Sequence, residues 1–251
     1  MALKVGDVEI AVRRKAIKHM HLYVQPPDGR VLVSAPNDAS DEAIVFFVRE
    51  NFGWVLKKRA GMGEQRRQTR REYVSGETHY VWGEQRFLEV RKQDGWGGVT
   101  MSGNRLVMLA PRESTENSRR MYMQEWERSI LSDAIRETLP KWEKVTGLQT
   151  DSWSIVNMRR SWGKCNPARG RIVLNLQLVR KPREALEYII LHELCHMKTR
   201  THGKEFVANM NRYMPEWKDV RKRLNEMPLD YIADDNVREC ASEASVYSLK
   251  P

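Results

Sequence analysis

Residues 182–202 read PREALEYIILHELCHMKTRTH, and the chemistry and fold expected of the chain both turn on this stretch. Pro182 suits the first turn of a helix, where its missing N–H costs nothing. Leu186, Ile189, Ile190, Leu191 and Leu194 then spread over several helical faces, so the spacing predicts a buried helix rather than one laid on a surface. Polar groups on such a helix are costly unless partnered, and this one carries His192, Glu193 and His196. At about 100° per residue the two imidazoles lie about 40° apart and about 6 Å along the axis, near enough to share one metal ion. His202 would stand about 15 Å from His192 on an unbroken helix, beyond reach of an ion held at about 2.0–2.1 Å. For it to join, the helix must stop near residues 199–201 and the chain must double back, which the β-branched Thr199 and Thr201 do not oppose. Chance would produce this four-residue pattern in roughly 3 of 10,000 chains of this composition, so coincidence is a poor account of it.

Three protein ligands leave a fourth position for water, which separates a catalytic zinc from a closed structural one. The expected chemistry is hydrolysis: zinc lowers the pKa of water, Glu193 takes the proton as general base, the metal polarises a carbonyl, and Glu193 protonates the leaving amine. Cys195 sits about 100° round the helix from His196 and is read as a small core residue.

Upstream, residues 158–183 hold eight Lys and Arg and no acid. This basic approach is expected to border the cleft and to draw a polyanion, with Arg159, Arg160 and Lys164 as candidate nucleic-acid contacts. Residues 171–179 alternate as a strand. If that strand is a sheet edge beside the metal, Arg171, Val173 and Asn175 are candidates for holding an extended peptide.

Farther out, residues 9–13, 20–25 and 30–35 read as strands and 40–60 as a helix with Asp41 and Glu42 in its first turn. Two more strands are expected at 80–91 and 98–109, then helix from 112 onward with Pro140 kinking or ending it. The chain thus reads as α+β: a β-rich N-terminal half with a helix (1–111), a compact domain of helices and strands bearing the metal motif (112–227), and an acidic C-terminal tail (228–251). No internal repeat is visible.

Composition sets the outer bounds. At 251 residues, 41% of them hydrophobic, the chain can bury a real core, and no apolar run approaches the ~18 residues that would span a bilayer. Three widely spaced cysteines, Cys165, Cys195 and Cys240, make no disulfide framework, and no Asn-X-Ser/Thr acceptor occurs. A cytoplasmic protein is expected. Its net charge of +10 biases the surface toward acidic partners without naming one.

Taken together, these residues resemble the YgjP-like family of zinc-dependent hydrolases, relatives of the SprT-like and WLM metalloproteases. The resemblance covers residues 8–226 and rests on Trp162, Gly163 and Cys165, then His192, Glu193, His196, His202, Gly203 and Phe206. Ser161 and Lys164 stand where the family usually has Arg and Ser. The resemblance implies a zincin-like metallopeptidase domain with His192, His196 and His202 on Zn2+, Glu193 as the catalytic carboxylate, and a peptide or protein substrate. Metzincins share the span from first to third His but need Gly where Thr199 stands. Two other readings remain at this point: a metal-dependent phosphoanhydride hydrolase, suggested by the basic approach, and a nucleic-acid-binding protein whose metal site is structural or gated.

Overall fold

The computed structural model describes residues 2–25, 29–64, 71–158 and 161–227. Arg159, Arg160 and the acidic tail therefore lie outside the described residues. The chain divides into two compact units, Met1–Arg67 and Gln68–Pro251, and the change of pattern expected after residue 111 falls inside the second. The class is mixed helix and strand, with three small sheets and six α-helices among the described residues. None of those helices is long and apolar enough to cross a membrane.

In the first unit, β1 (Ala2–Val5) and β2 (Val8–Lys15) form one hairpin, β3 (His21–Gln25) and β4 (Arg30–Pro36) another. β2 and β4 pair in parallel, giving the order β1-β2-β4-β3. Alternation puts Val8, Ile10, Val31, Val33 and Ala35 on one face, and all are buried. Helix α1 (Asp41–Glu50) starts at Ser40, whose hydroxyl accepts the Ala43 N–H at 3.2 Å. The single helix expected over 40–60 breaks at Asn51, whose side-chain amide donates to the Phe47 carbonyl at 2.8 Å; α2 (Phe52–Glu64) follows. Ile44, Val48 and Val55 from these helices close the core.

In the second unit the strand expected at 80–91 is a hairpin, β5 (Thr78–Val81) and β6 (Glu84–Gln93). Trp82 and Gly83 between them both have positive φ, 52° and 83°, so the turn is a tight one. Tryptophan in such a turn gives no signal in the sequence. With β7 (Gly98–Ser102) and β8 (Arg105–Pro111) the order is β5-β6-β8-β7, again with a parallel central pair. This is the topology of the first sheet repeated. A shift of 75 residues carries Arg30–Pro36 onto Arg105–Pro111 and the N-cap Ser40 onto the N-cap Thr115. The registers agree as well: Lys15 pairs with Pro36 as Gln93 pairs with Pro111. The expectation of no repeat is thereby corrected. What repeats is alternation, turn placement and the helix cap, while side-chain identity has drifted.

Helix α3 (Glu116–Thr146) runs straight through Pro140 and ends at Gly147, whose φ of 71° lets its N–H reach the Glu143 carbonyl. Packing outweighs the lost backbone bond, because Met123 is held in the core of the β5–β8 sheet while Leu131, Ile135 and Leu139 enter a second, larger core. That core is built around β9 (Ser152–Val156), β10 (Gly163–Asn166), β11 (Arg171–Asn175), and helices α4 (Arg183–Lys198), α5 (Lys204–Tyr213) and α6 (Trp217–Glu226). β11 lies between β10 and β9, antiparallel to the first and parallel to the second. The run expected to continue as strand to residue 179 instead turns into a 3₁₀ segment, Leu176–Arg180.

Candidate metal centre and active site

Helix α4 is buried on most sides, with Leu186, Ile190, Leu191, Leu194 and Cys195 wholly inaccessible. It stops at Lys198. Thr199 closes it, its N–H and hydroxyl both donating to the Cys195 carbonyl at 3.0 Å. Six residues on from His196, His202 has returned to the helix, just ahead of α5. The three Nε2 atoms then form a near-equilateral triangle: His192 to His196 3.2 Å, His196 to His202 3.2 Å, His202 to His192 3.1 Å.

Ligands about 2.0–2.1 Å from a tetrahedral ion subtend edges of about 3.3 Å, close to the separations of these three ring nitrogens. The set could hold a metal ion. Its electrostatics agree, because each ring is pushed toward the neutral form that ligation needs. For His192 burial is the largest cause, followed by His196 and His202; for His196 and His202 burial again leads. His196 Nδ1 lies 2.8 Å from the Thr199 carbonyl, which as acceptor fixes the N–H there and leaves Nε2 free to ligate. Phe206 of α5, 1% exposed, floors all three rings with centroids 4.8–4.9 Å away. Tyr188 meets His192 edge-on and stacks on Trp217 of α6.

Glu193 is buried, and no hydrogen bond reaches its carboxylate among the described residues; burial alone pushes its pKa up to about 8. It fits only because its neighbour on β10 is glycine: a Cβ on Gly163 would stand 2.5 Å from Glu193 Oε1 and 2.8 Å from Cγ. Two residues along β10, Cys165 Sγ touches Met197 Sδ of α4 at 3.5 Å, and burial, with the Glu193 charge, pushes that thiol up to about 12. Alternation therefore turns Gly163 and Cys165 toward α4 and Lys164 away from it.

The residues expected to hold a peptide are differently placed. β11 has a partner on both sides, so Arg171, Val173 and Asn175 offer no free edge. Asn175 is 3% exposed and serves as a clamp, its amide donating to the Met158 and Ser161 carbonyls while its oxygen accepts the Met158 and Gln177 N–H groups. Arg171 donates to the Ser154 hydroxyl. Among the described residues the outer strand of this sheet on the α4 side is β10. The basic approach is also largely spent on structure. Arg180 makes a bidentate pair with buried Glu127 at 2.7 and 2.8 Å, Lys181 lies over Trp162, and Arg183 over Trp82.

Phe206 and Gly163 had been singled out only by resemblance. The sequence signal that could have given their roles is weak: a lone aromatic after the third His, and a glycine in a four-residue strand.

Three imidazoles that could hold one metal ion, two of them on a helix that also carries a buried acid, suit a metal-dependent enzyme. The YgjP-like metallopeptidase domain model matches residues 18–227. The chain belongs to that family and is a metallopeptidase, with a metal ion and a peptide or protein substrate implied. Among solved structures it is similar to the metallopeptidase zymogen of Pyrococcus abyssi abylysin, at 24% identity and a TM-score of 0.34, over 36% of this chain and 90% of that one. It is likewise similar to the metallopeptidase zymogen of Methanocaldococcus jannaschii jannalysin, at 23% and 0.33, over 36% and 92%. No curated protein matches.

Proposed function

We propose that the chain is a zinc metallopeptidase of the cytoplasm in which His192, His196 and His202 hold the ion and Glu193 is the general base. The observation that carries this reading is the triangle of Nε2 atoms at 3.1–3.2 Å, two of them from a helix with a buried carboxylate that has no hydrogen-bond partner among the described residues. When bound, the ion supplies Lewis acidity for a carbonyl and for water. Glu193 does the proton work. Raised to about 8 by burial, a carboxylate oxygen takes a proton from water more readily than an exposed one and returns it to the leaving amine nitrogen. Gly163 keeps that oxygen in place, and Phe206 and the Thr199 carbonyl hold the rings. An extended substrate pairs along β10, main chain to main chain, with Lys164 beside it; the Arg171 and Val173 strand stands one position behind.

The peptide reading gains over the phosphoanhydride one because Arg180, Lys181 and Arg183 are engaged within the fold. A screen of peptides against nucleotides, with the metal-loaded protein and Glu193→Gln in parallel, tests it. Expected are peptide turnover, a loss of about 10³-fold or more in Glu193→Gln with metal stoichiometry unchanged, and loss of most metal in His202→Ala. Full activity in Glu193→Gln rejects the base assignment. Turnover of nucleotides alone rejects the substrate class.

A further inference from the structure

The two repeated sheets have the same strand order and register but opposite chemistry on the face that their helices leave open. On the second sheet Glu89 clasps two arginines, Arg91 at 2.8 Å and Arg105 at 3.1 Å, so each of those cations has a carboxylate partner. The corresponding positions of the first sheet are Ala11, Arg13 and Arg30. With alanine in the middle, the two arginines have no carboxylate partner among the described residues, and Lys4 and Lys15 extend the same face with Glu9 as the acid on these strands.

The apolar part of the face differs too. Ala11, Leu32 and Tyr23 lie opposite one another across β2, β4 and β3, and the next row is Arg13, Ser34 and His21. Tyr23 is half-buried, so part of its side chain is accessible, and the exposed His21 ring is 6.4 Å away at a 32° tilt. The matching rows of the second sheet, Glu89, Val107 and Thr100, then Arg91, Leu109 and Gly98, hold no aromatic ring; the aromatics of that face, Phe87 and Tyr80, stand in other rows, on β6 and β5.

A flat ring on a sheet, rimmed by unpaired arginine and lysine, matches the two demands of one ligand class: a base to stack and phosphates to neutralise. An acidic peptide would use the cations but has no need of the ring. We infer that the open face of the first sheet binds single-stranded nucleic acid, with a base stacked on Tyr23 and phosphates held by Arg13, Lys15 and Arg30. Two or three nucleotides cover such a platform. The inference is independent of the peptidase reading, since it uses none of the residues assigned to it.

The test is fluorescence anisotropy of the full chain with labelled oligo(U) and oligo(dT) of about twelve nucleotides between about 50 and 200 mM salt. Binding should weaken as salt rises, with a log–log slope of about −2 for three phosphates on a single strand. Tyr23→Thr, which installs the second sheet's residue, should weaken binding about tenfold or more, and Tyr23→Phe should retain it. Ala11→Glu, which rebuilds the Glu89 clasp, should reduce both affinity and slope, while Arg91→Gln leaves both unchanged. Peptide turnover should be the same in all four. The inference is overturned if Tyr23→Thr binds as tightly as Tyr23→Phe, if polyglutamate of equal charge displaces the oligonucleotide as well as unlabelled oligonucleotide does, or if Lys164→Glu alone removes binding. Circular dichroism of each variant separates lost binding from lost folding.

Discussion

The two sheets of order outer, inner, inner, outer are used in contrasting ways. The first closes on its own helices with a core that is aliphatic throughout: Val5, Val8, Ile10, Val31, Val33, Ala35, Ile44, Val48 and Val55. The second gives up that self-sufficiency. Its helix α3 continues into the core of α4, and the buried Glu127 of α3 pairs with Arg180 in the segment leading into α4. Its turn also docks there: the Trp82 N–H donates to the Val179 carbonyl at 2.7 Å and Gly83 lies against Pro182. The same topology can thus close a core of its own or brace the helix that carries His192 and His196, and polar pairing is what distinguishes the brace.

The sharpest way to break that contrast is to strike each core once. Glu127→Gln removes the carboxylate from a largely buried ion pair, at a cost of about 3–5 kcal/mol. Because Arg180 precedes α4 by three residues, metal affinity and turnover should fall with stability. Ile44→Ala empties a fully buried site of the first unit's own core at a comparable cost of about 2–5 kcal/mol, and turnover should hold while that unit loosens. Denaturant curves read against metal titration and peptide hydrolysis separate the two. Equal losses of turnover would dissolve the distinction between the two sheets.

Within the second unit, Gly163→Ala asks how closely the edge strand and the helix are matched. The new Cβ would overlap Glu193 Oε1, so either the strand or the carboxylate must move, and a displacement near 1 Å costs about a hundredfold in kcat. Metal content should stay at wild type, since the three rings are untouched. A variant with full kcat would show that β10 is free to give way.

How much of this was legible in the sequence follows from how local each feature is. The α4 triad is written in one helical turn and one reversal, so spacing alone brought the three histidines together. The sheet edge was misplaced onto Arg171–Asn175 because β10, the four residues Gly163–Asn166, has no periodicity of its own and exists only through pairing with β11. β1 was missed for the same reason. The hairpin at Trp82-Gly83 was hidden by a tryptophan in a position that turn chemistry gives to Asn, Asp or Gly. Asn175, expected at the substrate, is consumed by four hydrogen bonds, a use of polarity that no single position in the sequence declares.

A smaller effect separates the two cores by pH. His79 lies in the second sheet, and burial first, then Arg71 and Arg180, lower its pKa to about 3 from an ordinary 6.5. Between those values the unfolded chain binds a proton that the folded chain refuses. Stability is therefore intact above pH 6.5 and is lost as pH falls toward 3, by up to about 1.4 kcal/mol per pH unit. His79→Gln should flatten that slope, and the first unit, lacking a buried histidine among its described residues, should not show it. Unfolding at pH 7, 6 and 5, followed separately in each unit by hydrogen exchange, reads both.

The smallest expected change concerns the docking turn. In the first sheet the corresponding turn residues are Gly6 and Asp7, both exposed, with the Phe52 ring beside Gly6. In the second, Trp82 adopts a φ of 52°, which costs a residue with a Cβ about 1 kcal/mol or more, and the Arg183 guanidinium lies 4.1 Å from its ring centroid. Trp82→Asn should recover most of the backbone cost, because asparagine tolerates that conformation, and should lose the cation–π contact, worth about 0.5–1 kcal/mol at an exposed site, together with part of the packing against the second core. The two nearly cancel, leaving a net change within about 1 kcal/mol. A variant at wild-type stability but with a raised KM or reduced metal affinity would show that the turn is retained for how it seats the first residues of α4. One that is simply more stable, with unchanged kinetics, would reduce the brace to the Glu127–Arg180 pair.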